Sequence, residues 1–216
     1  MDSNLWLYAN GRQQYHAAYS LIVFGAENFK RANIIKGLPK PETNNKLMQL
    51  GLEYDRMGFV QEFICDYVID CIRILMFFEG YMKAELIKEG FCVHNIDAGG
   101  AVSYRNLAKE QRLRPITLGE INVIEPFVID EHNEVITNKC VKVTTLGINI
   151  LLSPQYRAYY QFDDFIVDAV RHFNNTRNNL RFNTETELQL SSLFVERLRR
   201  INHFVDATIE KWKATT

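Results

Sequence analysis

Apolar residues recur at helical spacing through the first part of the chain. Between residue 5 and about residue 35 they follow one another at intervals of three, four and seven, which places them on one stripe of a helix. Two prolines and a glycine within 37–45 predict a loop. A second, longer helix is expected from about 46 to 89, and Gly90 suits the left-handed conformation that often follows a helix end.

The middle of the chain predicts shorter elements. Residues 94–101 are expected to form a loop and 104–112 a short helix, while Thr117 and Glu120 have the spacing of a capping box at a helix start. β-Branched residues then cluster around a polar turn. This pattern predicts a small β-hairpin inserted at about 122–150.

Two further helices are predicted in the C-terminal part of the chain. Ser153 and Pro154 suit the N-cap and the first position of a helix whose apolar stripe continues to Phe173. In the last helix, apolar residues follow at intervals of three and four from Leu190 to Trp212.

The whole chain, residues 1–216, is therefore predicted to be a single mainly α domain, an antiparallel helical bundle with a small β-hairpin insertion. Its formal net charge of -1 and its 47% hydrophobic content are ordinary for a folded protein. Because the overall charge gives no long-range attraction for nucleic acid, any anion-binding site must be a local patch.

Several kinds of site and location are disfavoured by the sequence. The four cysteines lack metal-site spacing, so neither a metal nor a cofactor is expected, and a reducing, cytoplasmic compartment is the simplest assumption. The start of the chain has no signal-peptide pattern, and the most apolar window, 63–78, is too short and too charged to span a membrane. The sequence also lacks the motifs of P-loop, dinucleotide-binding, zinc-protease and serine-esterase sites.

One polar stripe interrupts the long second helix. Its members follow at spacings of four, four and three, which aligns them on one face: Glu62, Asp66, Asp70 and Arg73. One interpretation is a solvated edge or an Asp70–Arg73 ion pair. The other is a carboxylate face that lines a cleft, since carboxylates inside a core must be paired.

The segment RNNLRFN at 177–183 raises a similar choice. The inward stripe of the preceding helix steps by four and three to Phe173, and the next step of four reaches Arg177. If the helix continues that far, Arg177 points inward and should meet a carboxylate or an anion. If the helix ends near Asn174 or Asn175, the asparagines only favour a turn.

Positive charge is concentrated around this segment. Between 171 and 203 there are six arginines against three acidic residues, together with His172 and His203. Guanidinium groups bind phosphate oxygens bidentately, so the region predicts a phosphate-binding surface, although a solvated charged face has the same pattern.

The stretch FFEGYMKAELIKEGFCVHNI, followed by YRNLAKEQRLRPI, resembles the middle helices and connector of HEPN-family bundles. RNNLRFN resembles the signature segment of that family, in which an arginine and a polar residue are followed by a histidine. Arg177 and Asn178 match its first two residues. The histidine position holds Phe182, Asn183 or Thr184, so the general acid/base of the family is missing.

The resemblance implies a binding function. Active family members are metal-independent ribonucleases that pair two subunits over RNA and often act as toxins or antiviral effectors, and others bind nucleotides or partner proteins. Because the histidine is missing, we expect a non-catalytic or weakly active homodimeric module that binds RNA, a nucleotide or an acidic protein, without a membrane partner. The expected binding residues are Arg171, Asn178, Arg181, Asn183, Arg197 and Arg200.

Two alternatives remain open. In a metal-independent ribonuclease, Arg177 would stabilise charge on the scissile phosphate, and His172 or His203 would transfer the proton. Arg197 and His203 have the bare family spacing, but Leu198 occupies the polar position. A purely structural or scaffolding helical protein would use the same arginines in an oligomer contact.

Overall fold

The protein is mainly α-helical, and its helices pack together through buried apolar side chains. The structure, a computed structural model, describes residues 4–6, 11–32, 57–97, 114–117, 120, 128–129, 134–136, 142–181 and 192–214. Within these ranges the elements are β1 (Asn4–Trp6), α1 (Gly11–Lys30), α2 (Met57–Lys88), β2 (His94–Asp97), β3 (Val128–Ile129), β4 (Glu134–Ile136), β5 (Lys142–Thr145), α3 (Ile148–Leu151), α4 (Pro154–Arg157), α5 (Asp164–Arg181) and α6 (Ser192–Lys213). None of the described helices combines the length and the hydropathy that a membrane span requires.

The chain divides into two compact units. Unit 1 contains Met1–Leu21 and Tyr81–Gln161, and unit 2 contains Ile22–Gly80 and Phe162–Thr216. Two of the boundaries fall inside helices, so α1 and α2 each contribute residues to both units. The single domain expected from the sequence stays a prediction.

Unit 1 holds the strands of the described part of the chain. Strands β1, β4 and β3 form an antiparallel sheet in that order, with Leu5 opposite Val135, and β2 pairs with β5 in a second sheet. Two predictions are therefore wrong: residue 5 lies in a strand and not in a helix, and 94–97 form a strand and not a loop. Their strand partners are distant in sequence, so no local periodicity indicates them.

The hairpin insertion expected at about 122–150 stays a prediction, because residues 130–133, where its turn would lie, are outside the described residues. In the described part of this segment, β3 pairs with β4 in antiparallel register. Strand β5 pairs with β2 instead, and the chain is helical again from Ile148.

The C-terminal end of α2 has the geometry expected from its glycine. Gly90 has a φ of 82°, in the left-handed region that glycine adopts at little cost. The backbone N–H of Phe91 donates to the carbonyl of Leu86 and that of Gly90 to the carbonyl of Ile87, both at 2.9 Å. These two hydrogen bonds define a Schellman motif, so the predicted helix end is confirmed.

Thr117 and Glu120 form the predicted capping box. The backbone N–H of Thr117 donates to Glu120 Oε2 at 2.9 Å, and the N–H of Glu120 donates to Thr117 Oγ1 at 3.4 Å. Arg114 adds an ion pair, with its Nη2 2.6 Å from Glu120 Oε1. The hydrogen bond from Arg114, followed by that from the Thr117 backbone, lowers the pKa of Glu120 to about 2.

The long helix predicted over 153–173 is two helices. Ser153 is the N-cap of α4 and is followed by proline, as predicted, but α4 is only one turn long. Helix α5 begins after Asp163, whose Oδ1 accepts a 2.7 Å hydrogen bond from the backbone N–H of Ile166. The prediction of one helix is wrong because the apolar spacing continues across a break that Asp163 caps.

Segments of α1, α2, α5 and α6 build the core of unit 2. Helix α1 approaches α2 closely at Gly25, where an added Cβ would lie 2.9 Å from the Cα of Phe77. Phe78 contacts the rings of Phe162 and Phe204, with centroids 5.8 and 5.7 Å away. The predicted stripe of the last helix is confirmed from Leu198 onward, since α6 buries Leu198, Ile201, Val205 and Trp212. Its earlier part, from Leu190, lies outside the described side chains.

Helix α1 ends at Lys30, before the predicted end near 35.

Arg73 of α2 donates through Nη1 to the carbonyl of Arg31 at 2.9 Å, and the same atom lies 2.9 Å from Asp70 Oδ1. Asp70 is buried, and it forms the predicted ion pair with Arg73 within the polar stripe of α2. The side chains of Glu62 and Asp66, the two earlier members of the stripe, lie outside the described part of the chain.

Candidate anion-binding site on the α5 and α6 helix pair

Helices α5 and α6 of unit 2 run side by side in opposite directions. Phe162, just before α5, contacts Phe204 in the second half of α6, with 5.3 Å between ring centroids. His172, further along α5, interacts electrostatically with Arg197 near the start of α6. This helix pair carries most of the site residues predicted from the sequence, and it places them in three different environments.

Arg177 lies on the inward stripe of α5. The helix continues to Arg181, so the interpretation that it ends near 174 or 175 is wrong. The guanidinium of Arg177 is part-buried and donates from Nη2 to Asn174 Oδ1 at 2.7 Å. Its Nε and Nη2 also lie 3.4 and 3.3 Å from Asn178 Oδ1, so two amide groups hold it in place.

The charge of Arg177 is not neutralised within the described part of the protein. Its hydrogen-bond partners are neutral amides, and among the described side chains no carboxylate lies within ion-pair distance of it. Asp70, the described carboxylate of the polar stripe, pairs with Arg73. The guanidinium is therefore oriented and partly desolvated while its positive charge remains available to an anion.

A second environment surrounds Arg197, where three helices meet. Tyr67 of α2 is buried and interacts through hydrogen bonds with Thr176 of α5 and Cys71 of α2. Burial raises the pKa of Tyr67 well above its usual range and that of Cys71 to about 12, so both stay protonated at neutral pH. Burial, and then the charge of Arg197, lowers the pKa of His172, which favours the neutral imidazole.

The two predicted catalytic histidines do not share one site with Arg177. His172 and Arg177 are five residues apart on α5 and so project from different sides of the helix. His203 instead lines a surface pocket of α6 together with Arg200. Arg177 therefore has neither histidine on its own side of α5.

The other predicted binding residues are spread along the helix pair. Arg171 is exposed and lies 3.5 Å from Asp168 Oδ1, as a surface ion pair. Asn178 contacts Arg177, as described above, whereas the side chain of Arg181 and the whole of Asn183 lie outside the described residues. Nothing in the structure tests the binding role predicted for these residues.

The sequence patterns missed several residues of these environments. Asn174 lies three residues before Arg177, a spacing that places both on one side of a helix, so local spacing could have indicated this contact. Tyr67 and Thr176 come from different helices, and no spacing rule indicates that they meet. The same holds for Arg197 and His172, which only the packing of α5 against α6 brings together.

No group of three histidine, cysteine or acidic side chains that could hold a metal ion occurs among the described residues. Comparison with known protein families, characterised proteins and solved structures finds no match to this chain.

Proposed function

We propose that the protein is a HEPN-like binding module that holds a phosphate group of RNA or of a nucleotide against the α5 and α6 helix pair. Arg177 is the principal contact. The observation that carries the proposal is the state of its guanidinium: part-buried, oriented by Asn174 and Asn178, and without a carboxylate partner among the described residues. A guanidinium in this state attracts a phosphate more strongly than a fully hydrated one does.

The free donors of Arg177 fit such a ligand. Its hydrogen bonds within the described residues use Nε and Nη2, which leaves Nη1 to approach an oxygen of the ligand. Asn178 offers an amide beside it. Arg181 and Asn183, predicted from the sequence, are expected to belong to the same binding surface, and a cytoplasmic homodimer remains part of the proposal.

Titration of a fluorescently labelled RNA oligonucleotide and of a labelled nucleotide tests the proposal. Arg177→Ala should weaken binding by tenfold or more, since hydrogen bonds to charged groups contribute roughly 1.5–3 kcal/mol. Arg171→Ala is the matched control: it removes an equal charge from the same helix, but from an exposed ion pair. Binding of the intact protein should also weaken as salt rises, as phosphate contacts require.

The outcomes separate three cases. Equal losses in both variants would show that general positive charge attracts RNA and that Arg177 is no special contact. Retained binding in Arg177→Ala, with folding verified by circular dichroism, would remove Arg177 from the site. If the folded protein binds neither RNA nor nucleotide, only an acidic protein partner remains for this surface.

A second candidate is the metal-independent ribonuclease, and the environment of His172 favours it. Burial and Arg197 keep this imidazole in its neutral form, the form that accepts a proton from an RNA 2′-hydroxyl. In this version Arg197, and not Arg177, is the arginine next to the histidine. Incubation of RNA with the protein in excess chelator should then give cleavage that His172→Ala lowers by roughly 10²–10⁴-fold. Cleavage that survives this substitution, or no cleavage at all, would exclude the assignment.

A further inference from the structure

A surface pocket of about 520 Å³ lies in unit 2 between the start of α5 and the middle of α6. Its volume lies within the range of roughly 300–1,000 Å³ that is typical of small-molecule sites. The lining combines charged and apolar side chains: Asp163, Ile166, Glu196, Arg199, Arg200, His203, Phe204 and Ala207. Arg177 is not part of this lining, so the pocket is separate from the site proposed above.

Arg200 forms part of the pocket wall together with two carboxylates. Its Nη1 lies 3.5 Å from Asp163 Oδ2 and its Nε lies 3.5 Å from Glu196 Oε1. The guanidinium carbon also lies 4.3 Å from the centre of the Phe165 ring, in a cation–π contact. Asp163 is held in turn by its hydrogen bond from the backbone of Ile166. Two carboxylates face one guanidinium here, so this cluster carries a formal net charge of −1.

Arg199 is the other arginine of the pocket lining. It is exposed, and no carboxylate among the described side chains lies within ion-pair distance of it. His203 lies beside it on the lining as a further donor. Ile166, Phe204 and Ala207 contribute the apolar part of the lining. The formal charges of the two acids and two arginines in the lining sum to zero. The pocket therefore offers one guanidinium without a described carboxylate partner, together with apolar surface.

We propose that this pocket is a second binding site, for a small organic anion that carries a single carboxylate or phosphate-ester group on an apolar body. The apolar body would pack against Ile166, Phe204 and Ala207, and the oxyanion would pair with Arg199. Asp163 and Glu196 repel further negative charge, so the pocket disfavours a polyanion such as RNA. This selectivity is the reverse of that expected at Arg177, where the described surroundings contain no carboxylate partner.

Titration by NMR with four small probes tests the proposal and identifies the acid group. Phenylacetate and phenyl phosphate carry the two candidate groups on the same ring, 2-phenylethanol lacks the charge, and inorganic phosphate lacks the ring. Amide signals of α6 around Arg199 and His203 should shift with at least one of the ring-bearing anions. They should respond at least tenfold more weakly to the alcohol and to inorganic phosphate.

Two substitutions test binding in the pocket independently. Arg199→Gln removes the guanidinium that has no described carboxylate partner, and Ala207→Phe fills the pocket volume from an exposed position without changing any charge. Each should weaken binding of the preferred anion by tenfold or more, while Arg171→Gln, an equal loss of charge elsewhere, should leave binding unchanged. Arg177→Ala should leave it unchanged as well, which separates this site from the proposed RNA or nucleotide contact.

Three results would overturn the proposal. The first is that neither ring-bearing anion binds. The second is that binding persists in both Arg199→Gln and Ala207→Phe. The third is that inorganic phosphate alone binds as tightly as phenyl phosphate, which would reduce the pocket to a surface charge. Helical circular dichroism of both variants verifies that they are folded before the comparison is made.

Discussion

Two charged residues of unit 2 face inward from helices that contact each other, Asp70 from α2 and Arg177 from α5, and they are satisfied in different ways. Asp70 has a partner of opposite charge three residues further along its own helix, Arg73, at 2.9 Å. Arg177 has amides at the neighbouring positions, Asn174 and Asn178. The two members of an ion pair within one helix neutralise each other, so no net charge remains for a ligand. A guanidinium held by amides keeps its charge. We therefore interpret Asp70 as structural and propose binding for Arg177.

The largest expected effect is on stability at the ion pair. Asp70→Ala should lower the free energy of unfolding by about 2 kcal/mol, below the 3–5 kcal/mol typical of a fully buried pair because the Arg73 side chain keeps 29% of its exposure. Urea denaturation measures this change. Asp168→Ala removes an acid of the same i,i+3 spacing from an exposed pair and should cost no more than about 0.5 kcal/mol. Similar costs at the two positions would contradict the structural role of Asp70.

A smaller effect is expected when Arg177 is replaced. Arg177→Ala should cost about 1 kcal/mol, because buried Asn174 loses a hydrogen-bond donor but no buried carboxylate loses its partner. The double variant with Asp70→Ala sharpens the comparison, since the two costs should add within about 0.5 kcal/mol if the residues are independent. A coupling well above that value would mean that Arg177 belongs to the polar stripe of α2.

Unit 1 offers a local ion pair whose contribution depends on pH. The folded-state pKa of Glu120, about 2, lies below the unfolded value of 4.5, so its contribution is present above pH 4.5 and is lost as the pH falls toward 2. Because the Glu120 side chain is 39% exposed, solvent screening should keep this contribution below about 1 kcal/mol. Urea denaturation across this pH range, for the intact protein and for Glu120→Gln, isolates it. An identical pH dependence in the two proteins would contradict the capping-box geometry.

The smallest expected effect is a change in one pKa. Arg197→Gln should raise the pKa of His172, because it removes the second cause of its depression, while burial, the larger cause, remains. Imidazole proton shifts followed by NMR against pH report this directly. Arg171→Gln, next to His172 in sequence but in an exposed pair with Asp168, serves as the comparison. A pKa of His172 that does not respond to loss of Arg197 would remove the arginine from the ribonuclease alternative.

Local sequence signals predicted the parts of the fold that local contacts control. The glycine that ends α2, the capping box of Thr117 with Glu120, and the apolar stripe of α6 each depend on residues within a few positions of one another, and each is confirmed. The same rules failed at the break before α5. There the apolar spacing continues through a segment that a new N-cap, Asp163, divides into two helices.

The sequence predicted a mainly helical chain, and the 3.6-residue period of a helix placed Asp70 near Arg73 and Arg177 one step beyond Phe173 on the apolar stripe. It left open whether the ion pair forms and whether α5 continues as far as Arg177. Only the tertiary structure decided which strands pair, that His172 lies near Arg197, and that Arg199 and Arg200 share a pocket with the start of α5. Such contacts join residues that are far apart in the chain. Their geometry depends on how helices and strands pack, which the spacing of residues along one element does not specify.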